Sequence, residues 1–130
     1  MRKTFIRKLQ VVLLLGITVL TGCASTESEV GILSSREAYQ WLADSVDAIV
    51  LDVRSEEEFL TGHIEGAILL PLPEIETQAA ERLLDKDALI LVVCQSGNRS
   101  QVAAQQLVDL GYTNVYNIGG VLSWPGELVR

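Results

Sequence analysis

Cysteine is scarce in this chain, and basic residues are scarce in most of it. Two cysteines occur among 130 residues, Cys23 and Cys94, with no Cys-x-x-Cys between or around them. That excludes a dithiol oxidoreductase. With a single histidine, His63, the ligand set for a zinc site is also missing. The apolar stretch at residues 11–20 is interrupted only by Gly16 and Thr18. It is well short of the roughly 20 residues that a membrane-spanning helix needs. All 17 acidic residues follow Cys23, whereas only six of the ten Lys and Arg do, so residues 23–130 carry a formal charge of −11. Such an acidic surface argues against nucleic acid as a partner and against adsorption to anionic lipid by charge. No internal repeat or low-complexity segment divides those residues, and they suffice for one domain with one core.

What is present at the N-terminus is an ordered leader. Arg2, Lys3, Arg7 and Lys8 precede the apolar stretch, and Leu20-Thr21-Gly22-Cys23 follows it. Basic, apolar and small elements in this order resemble a secretory signal that ends in the bacterial lipobox. The resemblance implies a signal peptide over 1–22, lipidation of Cys23, a polar anchored tether over 23–30 and a domain over 31–130. The basic flank stays inside. The expected location is therefore extracytoplasmic, on the periplasmic side or the outer cell surface of a bacterium, with acyl chains holding the protein to the membrane. If Cys23 is acylated, Cys94 has no partner in the chain, and a lone thiol in an exported domain is a candidate reactive group.

Cys94 follows the short aliphatic, β-branched run 89–93, which reads as a buried parallel strand. Residues 100–110 read as a helix ended by Gly111. A thiol on a strand-to-helix turn meets unpaired amides and a helix dipole, both of which favour negative charge. Gly97 suits a tight cradle that needs positive φ. Arg99 is expected to close the cradle. Gln95, Ser96 and Asn98 complete the loop, the last two offering hydroxyl and amide donors. Elsewhere strand and helix signals alternate. Strands are expected at 31–33, 49–52, 67–70 and 115–117, the last followed by a Gly119-Gly120 turn. Capping boxes begin at Ser34 and Ser55, and a helix spans 74–84 with Ile75, Ala79 and Leu83 on one face. Strand–helix alternation predicts an α/β fold with a parallel sheet between helices.

Four segments in order then resemble a single-domain rhodanese, a sulfurtransferase. They are Leu51-Asp52-Val53-Arg54; Glu58-Phe59-Leu60-Thr61-Gly62-His63-Ile64-Glu65-Gly66-Ala67; Cys94-Gln95-Ser96-Gly97-Asn98-Arg99; and Gly111-Tyr112 with Val115, Gly119-Gly120 and Trp124. The resemblance covers about residues 31–126 and departs after Trp124, where Pro125 follows and one pocket edge is left short. It implies a rhodanese-like five-stranded parallel sheet in the order 1-5-4-2-3, with helices on both faces and Cys94 at the carboxyl end of the central strand. It implies sulfur transfer from thiosulfate or a related small anionic donor to a thiol or cyanide acceptor, through a persulfide on Cys94, with no cofactor and no metal.

Cys94 and Arg99 are the expected catalytic residues, and Gln95, Ser96, Gly97, Asn98, Arg99 and Arg54 the expected substrate-binding ones. Arg54 has an alternative, an ion pair with Glu58 at the next helix start, and that is the favoured reading. His63 and Asp52 read as structural, and Trp41 and Trp124 as packing residues. A phosphatase or arsenate reductase on the same fold is the weaker alternative. Those enzymes use Cys-x5-Arg, whereas Arg99 lies five after Cys94 and the loop holds no Asp to act as acid. A non-enzymatic persulfide carrier or sulfide-sensing domain is the remaining one.

Overall fold

The computed structural model describes residue 22 and residues 27–130. Residues 1–21 of the leader, Cys23 and residues 24–26 of the tether lie outside the described residues.

Five strands, β1 (Gly31–Ile32), β2 (Ile49–Asp52), β3 (Ile68–Leu69), β4 (Ile90–Cys94) and β5 (Val115–Gly120), form one parallel sheet in the order β1-β5-β4-β2-β3. The intervening helices are α1 (Ser35–Ala43), α2 (Glu56–Thr61), α3 (Ile75–Arg82) and α4 (Asn98–Asp109). All five residues of β4 are buried, as a central parallel strand covered on both faces must be.

The two-residue period of β4 sorts its side chains between two cores. Ile90, Val92 and Cys94 join Ile75, Ala79 and Leu83 of the α3 region and Ala103, Ala104 and Leu107 of α4. Leu91 and Val93 pack instead with Ala38 of α1, Ile64 and Ile118. The thiol is therefore delivered to the α4 side of the sheet.

Both expected capping boxes are present. Ser34 Oγ accepts from Glu37 N at 3.2 Å and Ser34 N donates to Glu37 Oε2 at 2.8 Å. Ser55 Oγ accepts from Glu58 N at 3.2 Å and Ser55 N donates to Glu58 Oε2 at 3.0 Å. Lys86 Nζ donates to the Leu110 carbonyl at 2.6 Å, serving the C-terminal end of α4 where the macrodipole favours a cation.

Three local expectations are corrected. Cys94 is the last residue of β4, and α4 begins at Asn98, two residues before the expected start. Gly119 and Gly120 are not a turn after β5. They belong to it, with β5 carrying one extra residue on β4 between the pairs Val92↔Asn117 and Cys94↔Gly120. A Cβ on Gly120 would collide with the Gln95 carbonyl, so the missing side chain allows β5 to lie against the Cys94 loop. The third correction concerns Arg54, whose partner is not Glu58. It is buried with Asp52, as described below.

After Trp124 the chain turns back along residue 63. His63 N donates to the Val129 carbonyl at 2.9 Å and Val129 N to the His63 carbonyl at 2.8 Å. Trp124 packs edge-on against Tyr39 at 5.5 Å. This segment covers the α1 side of the sheet, whereas the Cys94 side chain belongs to the other.

Candidate active site

The site is built where β4 ends and α4 begins. Cys94 is only 1% exposed. Its sulfur receives the Gly97 amide at 3.0 Å, and Ser100 Oγ lies 3.4 Å away. Gly97 adopts φ 106°, the left-handed region that glycine enters freely, and this turns its N–H back toward the sulfur. Burial pushes the thiol up. Hydrogen bonds from the Ser100 hydroxyl, and then from the Ser100, Gly97 and Ser96 amides, outweigh it and leave the thiol below its ordinary value. An anion cradle at the strand end is thus present, as the residue pattern predicts.

Ser100 carries more of the cradle than its sequence position suggests. Its hydroxyl is within reach of Asn117 Oδ1 at 2.7 Å, the Gly97 carbonyl at 3.0 Å and the Gly119 carbonyl at 3.3 Å. One hydroxyl proton can serve only one acceptor at a time. With Cys94 neutral it serves an oxygen and accepts from the thiol. With Cys94 ionised it turns to the sulfur. Asn117 Oδ1 then retains the Gly119 amide at 3.0 Å, so no buried acceptor is stranded. Asn117 Nδ2 in turn donates to the Gly97 carbonyl at 3.3 Å and to Gln101 Oε1 at 3.0 Å, tying β5 to the loop.

Neither Ser100 nor Asn117 stands out in the sequence. The only signals are a hydroxyl residue directly after Arg99 and an amide side chain near the end of the strand beside β4. The second becomes meaningful only once the strand order is known.

Arg99 is paired with Glu58 rather than standing alone over the loop. Its Nη1 and Nη2 each donate to the Glu58 carboxylate at 2.7 Å, a bidentate pair about one-third exposed on both sides. The Glu58 hydrogen bonds and charge, and to a lesser extent the Cys94 charge, hold the Arg99 proton more tightly than usual. The Arg99 guanidinium and the Ser55 backbone and hydroxyl together draw the Glu58 carboxyl down to about 2, against some burial. Glu58 therefore caps α2 and clasps α4 at once.

Arg54, expected among the substrate-binding residues, is buried in an ion pair and does not line the groove beside the Cys94 loop. It is 2% exposed, and its Nη2 donates to Asp52 Oδ2 and to the Gly62 carbonyl, both at 2.8 Å. Asp52 Oδ1 also accepts from the Arg54 amide at 3.0 Å, which places Asp52 as the strand-end acid that orders backbone. The pairing won because residues two apart at the end of β2 meet without any help from the next helix.

Ser96 and Asn98 are exposed and Gln95 half-buried. Ser96, Gly97 and Asn98 line a groove of about 420 Å³ with Ser34, Asn117 and Ser123. His63 stacks on Phe59 at 3.7 Å and its Nδ1 lies 3.0 Å from the Phe59 carbonyl, consistent with a packing role. Trp41 packs edge-on against Tyr116.

Comparison with known proteins gives a consistent picture. The Rhodanese-like domain profile matches residues 34–127. The putative sulfur carrier protein YrkF of Bacillus subtilis is 37% identical over 95 residues, 72% of this chain. This chain spans half the length of that relative. The thiosulfate sulfurtransferase GlpE of Pseudomonas entomophila is 42% identical over 88 residues, covering 64% of this chain and 79% of that one. Among solved structures, a rhodanese with anions from E. coli superposes with a TM-score of 0.61 at 34% identity, covering 64% of this chain and 98% of the other.

Proposed function

The chain belongs to the rhodanese family, and from that premise we propose that it is a lipid-anchored, extracytoplasmic sulfurtransferase whose Cys94 carries the transferred sulfur. Sulfur transfer in general rests on the family and on relatives named as sulfurtransferases. The observation that carries the assignment to Cys94 is the Gly97 amide at 3.0 Å and Ser100 Oγ at 3.4 Å from a sulfur at the end of the central strand. Those donors stabilise a thiolate, and a thiolate is the nucleophile.

In the first step Cys94 S⁻ attacks the outer sulfur of thiosulfate or a related donor. The S–S bond of the donor breaks, and sulfite leaves with the bonding pair. Cys94 becomes a persulfide anion, held by the same amides. In the second step an acceptor, a thiolate or cyanide, attacks the terminal sulfur and Cys94 S⁻ leaves. Two displacements through one covalent intermediate make a ping-pong cycle. Intact mass after thiosulfate treatment should show one added sulfur on the wild type and none on Cys94→Ser. Retained turnover in that variant would sink the assignment.

A persulfide carrier is the second reading, favoured by the likeness to a putative sulfur carrier. Multiple turnovers with a small thiol acceptor would exclude it as the sole role. Anchoring through Cys23 rests on the leader pattern. Fatty-acid labelling of the wild type, absent in Cys23→Ala, would support it, and an unlabelled wild type that keeps Met1 would refute it.

A further inference from the structure

Arg99 is the one cation of the Cys94 loop, and its charge is paired with Glu58. Both of its terminal nitrogens sit 2.7 Å from Glu58 oxygens. Glu58 is fixed from the other side by the Ser55 amide at 3.0 Å and the Ser55 hydroxyl at 3.1 Å. Of the other cations of the domain, Arg54 pairs with Asp52, Arg82, Lys86 and Arg130 donate to the carbonyls of Leu69, Leu110 and Thr61, and Arg36 lies on α1, outside the Cys94 loop. With Cys94 ionised, the thiolate, Arg99 and Glu58 leave one net negative charge at the mouth of the site. The surrounding domain is acidic as well.

An incoming dianion is repelled twice as strongly as a monoanion, because Coulomb energy is proportional to its charge. The opposite arrangement, a free Arg99, would give a neutral mouth with an open bidentate anion fork.

We propose that Glu58 sets the donor charge this site accepts, by cancelling Arg99 and so disfavouring dianionic sulfur oxyanions relative to singly charged thiosulfonates and persulfides. The proposal rests on Cys94 being the sulfur acceptor and narrows the donor class. For a thiosulfonate the step balances as before: Cys94 S⁻ bonds the terminal sulfur, the S–S bond of the donor breaks and the sulfinate leaves with the electron pair. Glu58 acts through Arg99 and is a positioning residue, not a catalytic one.

Glu58→Gln tests this cleanly, since Gln at that position also completes a capping box with Ser55. At roughly 10 Å and a water-like dielectric of ~80, removing one negative charge favours a dianion about fourfold and a monoanion about twofold. The kcat/KM for thiosulfate should therefore rise by about the square of the gain for benzenethiosulfonate. Both gains should vanish in ~1 M salt, where the Debye length is about 3 Å. Glu58→Asp keeps the charge and should keep the wild-type ratio between the two donors.

A second measurement needs no sulfur chemistry. The rate of Cys94 alkylation by iodoacetate relative to neutral iodoacetamide should rise about twofold in Glu58→Gln. Equal changes with both donors and an unchanged alkylation ratio would make Glu58 a brace only and overturn the proposal, as would Glu58→Asp behaving like Glu58→Gln. If the alkylation ratio shifts but neither donor yields a persulfide, the charge role of Glu58 stands and the sulfurtransferase reading fails.

Discussion

Two arginine–carboxylate clasps brace the carboxyl end of the sheet, and they are built differently. Arg54 and Asp52 lie two residues apart at the end of β2 and are 2% and 0% exposed. Arg99 and Glu58 lie 41 residues apart, join α4 to α2 and are 38% and 34% exposed. The first pair is held where water cannot take over if one partner is lost. The second is where water and ligand both can. A buried pair is costly to break, because the survivor is an uncompensated charge. An exposed pair contributes little to stability, so its consequences are electrostatic and local. The same chemical grouping is therefore a foundation in one place and a control on the site in the other.

The sharpest way to break this contrast is Asp52→Ala. It strands the Arg54 guanidinium in the interior with only the Gly62 carbonyl, and should cost about 3–5 kcal/mol in urea unfolding. A loss of about 1 kcal/mol or less, the range of an exposed pair, would show that the two clasps do not differ.

Next in size is Ser100→Ala, which asks whether the thiolate is held by the loop's neutral donors or by the Arg99 clasp. Removing a hydrogen bond to a charged group costs about 1.5–3 kcal/mol, so the thiol should titrate higher and kcat/KM should fall roughly ten- to hundredfold. The fold should survive, since Asn117 Oδ1 keeps the Gly119 amide. The alkylation rate of Cys94 against pH reads the shift directly. A profile identical to the wild type would return the main role to Arg99.

The smallest effect belongs to the exposed clasp itself. The Glu58 carboxyl is lowered from 4.5 to about 2 in the folded state. A depressed carboxyl contributes stability that is whole above its unfolded value and is lost as pH falls through the folded one. The window therefore runs from about pH 5 down to about pH 2, and with the pair about one-third exposed the contribution is about 1 kcal/mol or less. Unfolding midpoints at pH 7 and pH 3 should converge slightly for Glu58→Gln relative to the wild type. An equal pH response in both proteins would show that the clasp does not couple to folding.

Much of this molecule is legible in local chemistry. The buried run before Cys94, the alternation of strand and helix, and the two capping boxes are statements about neighbours in the chain, and all of them hold. The cradle is legible for the same reason: Gly97 and Cys94 are three residues apart, and a strand-to-helix turn has few ways to point its amides. Pairing choices are less so. Placing Glu58 with Arg54 follows from their closeness in sequence, yet Arg54 had a still closer partner in Asp52.

Sequence by itself determined where the thiol sits, the turn that bears it and the elements on either side, because each depends on bonds and hydrogen bonds spanning a few residues. Only the tertiary structure decided which groups surround the sulfur from a distance. Asn117 reaches the loop because β5 lies beside β4, and Gly120 matters because that strand runs against the Gln95 carbonyl. Glu58 meets Arg99 because α2 and α4 emerge at the same end of the sheet. Contacts of that kind depend on strand order and helix placement, which arise from packing the whole chain.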